Sequence, residues 1–214
     1  MLPVMVVYSL WLSPLGAGTC QFRAEDETGS TMKISKAASA GHRAALLDAA
    51  SRLFRERGFE RVSIDDIADA AGGLTHGAFY THFTSKEALC AEVVERAIDA
   101  TAQRVKTSTS RRARVSAYLS VGHVENRSAG CPLAALSGDV VREGRNVRAA
   151  FSRALDELID VVAQKEHVGE TSARDRAIVA FATRLGAVVL ARATTDPKLR
   201  DEILAAAKRA LVDP

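Results

Sequence analysis

The sequence predicts an all-helical protein, and three observations carry that reading. Apolar residues recur three and four apart along most of the chain from residue 42 onward, the period of a helix, and no stretch shows the strict alternation of a half-buried strand. Hydrophobic residues make up 47% of the 214 residues but aromatic ones only 5%, and alanine is abundant, which favours helices over sheets. The breaks between periodic stretches carry serine, glycine and proline where helices start and stop.

The first twenty residues, Met1–Cys20, are mostly apolar, but they lack a basic start and Pro3 and Pro14 interrupt them, which argues against an export signal. Met32 stands directly before Lys33-Ile34-Ser35-Lys36, so translation starting there is the favoured explanation, with a disordered extension as the alternative. Residues 1–39 are therefore set apart as an extension, and residues 24–41 read as a linker or tail. From His42, the residues Ala45, Leu46, Ala49, Ala50, Leu53 and Phe54 form one helix face, ended by Gly58. Ser63 caps a short helix whose first turn holds Asp65 and Asp66, and Gly72-Gly73 stops it. Thr75 caps a second short helix, His76–His82. Thr84 and Glu87, three apart, read as a capping box for a long helix to about Lys106. Further helices are expected at Arg111–Gly122, from Pro132 to about Glu143, along Val147–Val162, at Arg174–Ala193 and from Pro197 onward, giving about nine in all.

Charge does not reveal the partner. The net charge is +3, and residues 33–106 carry 11 bases against 10 acids. No basic tail exists, so a nucleic-acid partner must be argued from geometry. The three cysteines, Cys20, Cys90 and Cys131, are far apart and form no paired spacing, as expected in a reducing cytoplasm. No metal site, cofactor motif, nucleophile–base pair or phosphate loop is found, so no enzyme is expected. Outside Met1–Cys20, no stretch approaches the ~20 apolar residues of a membrane span.

The functional signal lies in residues 63–83. A short helix, a glycine turn and a second short helix make a helix-turn-helix, whose second helix enters the major groove of double-stranded DNA. Thr75, His76, Gly77 and Ala78 present small or polar groups at the start of that helix, where base edges lie. Phe79 and Phe83, four apart, anchor it. Tyr80, Thr81 and His82 face outward with groups suited to phosphate or base contact, and Lys86 opens the next helix with a cation suited to phosphate. Ser63, at the first cap, completes the set of candidate DNA contacts.

These residues also carry a resemblance. Phe54-Arg55-Glu56-Arg57-Gly58-Phe59, Ser63-Ile64-Asp65-Asp66-Ile67-Ala68, Ala71-Gly72, Leu74 through Phe83 and Ser85-Lys86-Glu87-Ala88-Leu89 resemble, in order, the DNA-binding domain of TetR/AcrR-type regulators over roughly residues 42–100. Gly130-Cys131-Pro132-Leu133-Ala134-Ala135-Leu136 resembles a segment in the ligand-binding half of one branch. The resemblance implies a reading head at 40–88 and a regulatory and dimerisation part at 89–214. It also implies a homodimer through the last two long helices, repression of transcription, and release by a small molecule. By matching position, Thr75, His76, Gly77, Tyr80, Thr81 and Lys86 are the implied DNA contacts. One departure stands out: Gly72-Gly73 holds one glycine more than the family pattern, which opens the alternative of a small-molecule-binding or interaction module with weakened DNA binding.

For the unknown effector, the candidate pocket residues are Leu119, His123, Cys131, Leu136, Phe151, Leu155 and Phe181. For the homodimer, the candidates are the small and apolar Ala182, Gly186, Val189, Ile203, Leu204 and Ala207.

Overall fold

The computed structural model describes residues 36–108, 110–165 and 172–212. Residues 1–35 of the expected extension, with the alternative start at Met32, lie outside these residues, as does Cys20, whereas residues 36–39 open the first helix. Among the described residues there are ten α-helices and no strand: α1 Lys36–Arg57, α2 Ile64–Ala70, α3 His76–His82, α4 Lys86–Thr107, α5 Arg111–Tyr118, α6 Val121–Glu125, α7 Pro132–Val140, α8 Arg145–Ala163, α9 Ala173–Ala193 and α10 Pro197–Val212. Among the described residues no helix is long and apolar enough to cross a membrane.

Four boundaries differ from the sequence reading. Helix α1 begins at Lys36, inside the expected linker, because alanines with strong helix propensity extend it toward the N-terminus. Helix α4 is capped by Ser85, whose hydroxyl accepts from the Ala88 amide at 3.0 Å, so the expected box from Thr84 to Glu87 does not form. The single helix expected at Arg111–Gly122 is two. Ser120 caps α6 by accepting from the His123 amide, while its own hydroxyl donates to the Ala117 carbonyl at 2.8 Å. Helix α7 stops at Val140, and Gly144 opens α8 as its cap.

The core explains the arrangement. One buried cluster runs without a break from α1, α2 and α3 through α4 and α7 into α8, with Leu46, Phe54, Phe59, Ile67, Phe79, Leu89 and Leu158 among its members. Helix α4 therefore belongs to both halves, and its long flank lies against α8. Ion pairs tie α4 to both neighbours: Arg43 on α1 grips Glu92 through two bonds of 2.6 and 2.5 Å, and Arg153 on α8 reaches Glu95 at 2.8 Å. A second cluster joins α5, α6, α9 and α10 through Val115, Val124, Val188 and Leu204. Burial pushes the Cys90 thiol up to about 12, which leaves it unreactive at neutral pH.

Candidate nucleic-acid interface

Helix α2 is set by a complete capping box. The Ser63 hydroxyl accepts from the Asp66 amide at 3.0 Å and donates to Asp66 Oδ2, which also accepts from the Ser63 amide at 2.7 Å. Those bonds, the side-chain one foremost, hold the Asp66 carboxyl below its usual range. They also commit Ser63 to the cap.

The doubled glycine is absorbed within the turn. Gly72 and Gly73 take φ of 104° and 74°, both in the left-handed region that glycine enters at little cost. The turn closes where the Leu74 amide donates to the Ala68 carbonyl at 2.9 Å, six residues back. Leu74 then packs against the core, and Thr75 caps α3 by accepting from the Ala78 amide at 3.1 Å. Helix α3 thus starts from a fixed point despite the extra residue.

Phe79 is fully buried, and its ring lies 5.6 Å from Phe83 and 5.2 Å from Tyr80. Anchored on these rings, α3 leaves Thr75, His76, Gly77, Tyr80 and Thr81 exposed. Tyr80 is 51% accessible: its ring meets the buried Phe79 edge to face, and the rest of it lies open. His76 Nδ1 stands 2.7 Å from Asp65 Oδ1. Since a carboxylate only accepts, Nδ1 carries the hydrogen and Nε2 points away as the group available to a partner. Asp65 on α2 thereby orients a side chain on α3, a positioning role that sequence reasoning missed. The i, i+11 spacing across a turn gives no periodic signal.

Three expected contacts are less open. Thr81 turns its hydroxyl back onto the Gly77 carbonyl at 3.2 Å. His82 is half-buried; desolvation first, then the charges of His42 and Arg43, hold its imidazole below the usual range, so it is neutral at pH 7. Lys86 corrects its expected exposure: its ammonium donates to the Phe59 carbonyl just beyond α1, at 2.5 Å.

Gly77 separates internal from external need. A Cβ there would meet only Thr75 Oγ1 at 3.9 Å, an ordinary contact. Alanine is therefore expected to stabilise the head by about 0.5–1 kcal/mol through helix propensity. If the exposed start of α3 meets DNA, as the sequence suggests, a methyl there is expected to weaken DNA binding at the same time. Thermal unfolding alongside fluorescence anisotropy of labelled DNA tests this, and tighter or unchanged binding counts against a close backbone approach.

A cavity of about 310 Å3 opens between α4, α5, α6 and α9. Three of the expected pocket residues, His123, Cys131 and Phe181, line it. The other four do not: Leu119 sits in the second core, and Leu136, Phe151 and Leu155 pack in or against the first. Arg104, Arg114, Tyr118 and Arg184 line it instead. Sequence reasoning followed apolar stripes and passed over the cations set into them. His123 works as a strut. Its Nδ1 donates to the Tyr118 carbonyl at 2.6 Å and its Nε2 accepts from the Cys131 amide at 2.9 Å, which fixes a neutral ring. Desolvation, with the charges of Arg192 and Arg104, outweighs the Tyr118 bond and holds it below the usual value of about 6.5. A depressed histidine means that the unfolded chain binds more protons, so stability is full above about pH 6.5 and falls as pH drops through that value. His82 adds to the same slope. Unfolding midpoints are expected to fall between about pH 7.5 and pH 5.5, and less steeply in His123→Gln. Equal slopes would place the titration elsewhere.

The expected dimer residues divide. Leu204 and Ala207 are buried in the protomer's own second core, because α10 turns that face onto α9. Ile203 is half-buried. Ala182 and Val189 are exposed and Gly186 has open space above it. Around them α9 exposes Ile178, Val179 and Leu190, an apolar stripe along the helix.

Comparison with known proteins bears on the family and the fold. The sequence profile of the bacterial regulatory proteins of the tetR family matches residues 46–93, from α1 into α4. The chain is 48% identical over 59 residues to the transcriptional repressor KstR2 of Rhodococcus jostii, a match that spans 28% of each chain. It is 30% identical over 163 residues to the transcriptional activator FasR of Mycolicibacterium smegmatis, covering 72% of this chain and 69% of that one. The crystal structure of Escherichia coli NemR in its reduced form superimposes with a TM-score of 0.65 at 25% identity, covering 80% of this chain and 96% of the other.

Proposed function

This chain belongs to the tetR family of bacterial regulatory proteins, DNA-binding regulators of transcription, and we propose that it is a homodimeric, cytoplasmic repressor that a small molecule releases from its operator. Residues 40–88 act as the reading head and residues 89–214 as the regulatory and dimerisation part. The observation that carries the reading is α3: capped at Thr75, anchored by the buried Phe79 and Phe83, and exposing Thr75, His76, Gly77 and Tyr80 on one surface. These four are the principal DNA contacts. Ser63, Thr81, His82 and Lys86 are minor ones, since internal bonds or burial already occupy them. The closure of the Gly72-Gly73 turn weighs against the alternative of a module that has lost DNA binding.

The apolar stripe of α9 supports self-association, and a two-fold dimer presents two copies of α3 to a near-palindromic operator. Release follows from a shift in population between spacings of the two heads. Two contacts join cavity to head. Arg55 on α1 donates to the Gly130 carbonyl at the cavity rim, at 3.3 Å. Asp139 near the end of α7 accepts from the Phe59 amide, also at 3.3 Å. Helix α7 thus runs from the cavity wall at Cys131 to the base of the head.

The test is transcription from the chain's own upstream region, fused to a reporter, with and without the protein. Repression predicts higher output without the protein. Lower output reverses the sign and makes the protein an activator, as FasR is named. No change, with no binding in a mobility-shift assay, removes the proposal.

A further inference from the structure

We propose that the cavity between α4, α5, α6 and α9 takes an amphipathic carboxylate, its head group held by Arg104 and Arg114 and its apolar body laid against Val105, Ala117 and Phe181. The inference rests on the reading of the chain as a ligand-responsive regulator and names the class of ligand.

The first observation is the lining. Arg104 from α4, Arg114 from α5 and Arg184 from α9 reach one cavity from three helices, and among the described residues that line it there is no aspartate or glutamate. The interhelical arginines elsewhere show the contrast: Arg43 takes Glu92, Arg96 takes Asp48, Arg153 takes Glu95 and Arg174 takes Asp156 and Asp160. At the cavity, Arg104 donates to the Thr101 hydroxyl at 3.1 Å, a neutral partner. Arg184 lies with its guanidinium 4.9 Å from the Phe181 ring and donates to the Ala180 carbonyl. A guanidinium presents five N–H groups in a planar fork that matches a carboxylate, so the single bond from Arg104 to Thr101 leaves donors for a ligand.

The second observation is the ground behind the wall. Arg55 and Arg192 bond backbone beside the cavity, Arg55 at the Gly130 carbonyl and Arg192 at the α6 carbonyls of His123 and Val124. Desolvation and then the charge of Arg104 hold Arg55 below its usual range. Arg55 and Arg104 thus repel one another, and an anion bound beside Arg104 relieves that repulsion. Burial, with the Cys131 sulfur as neighbour, pushes the Tyr118 hydroxyl up, so the ring stays neutral and does not compete as an anion.

Size sets the rest. About 310 Å3 lies at the lower end of small-molecule sites. At interior packing density it holds roughly ten to fifteen non-hydrogen atoms. A short acyl chain or a fused aromatic ring fills the apolar part.

The test is calorimetric titration of the full chain with octanoate and 1-naphthoate, each beside its uncharged amide and its amine. The carboxylates are expected to bind at least about 10-fold more tightly than the matching amides, as a charge-assisted bond requires. Arg104→Gln and Arg114→Gln are each expected to lose about that factor for the carboxylates, with amide binding and unfolding temperature nearly unchanged. The wild-type comparison stands even where a variant folds poorly. Amides or amines that bind as tightly as the carboxylates overturn the ligand class and leave the effector site in place. Absence of binding by every probe, in protein that still binds its DNA, overturns the effector cavity and this inference together. Tight carboxylate binding that both variants retain places the anion site elsewhere and also overturns it.

Discussion

Phe79→Ala is expected to lower the unfolding midpoint of the whole chain and abolish DNA binding, whereas Tyr80→Ala, one residue on, is expected to weaken binding to the operator at least about 10-fold while leaving the chain folded. The two side chains share a turn of α3 but belong to different parts of the account. Phe79 is fully buried against Phe83, and replacing such a phenylalanine by alanine costs about 3–5 kcal/mol in lost transfer and cavity energy. That is a large fraction of the ~5–15 kcal/mol that holds a domain together. Because the head shares one core with α4 and α8, the loss is expected as a lowered midpoint for the whole chain rather than a separate early transition. Tyr80 is half exposed, so its removal is expected within about 0.5 kcal/mol of wild type. Its loss from the DNA surface is expected to weaken specific binding at least about 10-fold, the lower end of a 1–3 kcal/mol contact. Circular dichroism melts and anisotropy titrations on both variants separate the two effects. A Tyr80→Ala protein with wild-type affinity would remove the ring from the interface.

Leu190→Arg is expected to yield a folded monomer that holds its operator at least about 100-fold more weakly. Leu190 is 58% accessible and its neighbour on the stripe, Val179, is 61% accessible, exposures that a large apolar side chain keeps when another surface covers it. A two-fold interface brings each such residue into the contact twice, so one substitution buries two unpaired charges, each costly without a counter-ion. The fold itself is expected to survive, because the α9–α10 core is formed by Val188, Ala191 and Leu204 on the inward face. The affinity loss follows from linkage: a dimer makes its second half-site contact at high effective concentration, worth 10²–10⁴ in avidity, and a monomer forgoes it. Analytical ultracentrifugation and operator titration test the two halves of this expectation. A Leu190→Arg dimer would move the interface off this stripe.

The legible parts of this protein were those governed by local rules. Caps such as Ser63 and Thr75 are set by a hydroxyl and an amide three residues apart, so sequence spacing fixes them. The anchors Phe79 and Phe83 follow from helical period. What escaped depends on distance in the chain. The helix expected at Arg111–Gly122 breaks where Ser120 caps α6 and the Tyr118 carbonyl takes the His123 ring, whose other nitrogen accepts from Cys131 eight residues on, and no period announces that bond. Lys86 turns inward to a carbonyl 27 residues away. Leu204 and Ala207 carry the same apolar signal as Val189, yet only the packing of α10 on α9 decides which of them faces a partner. The cavity hid for a similar reason: Arg104, Arg114 and Arg184 are spread over 81 positions and meet only when α4, α5 and α9 are assembled.

In the proposed dimer, α3 reads DNA as one of a symmetric pair. Footprinting across the intergenic region upstream of the gene, repeated at several salt concentrations, tests it most directly. Two related protected half-sites are expected about one helical turn (~34 Å) or somewhat more apart, needing at least about 10-fold more protein in Tyr80→Ala and weakened by salt. Uniform protection without half-sites, or no protection on any neighbouring intergenic DNA, would contradict it.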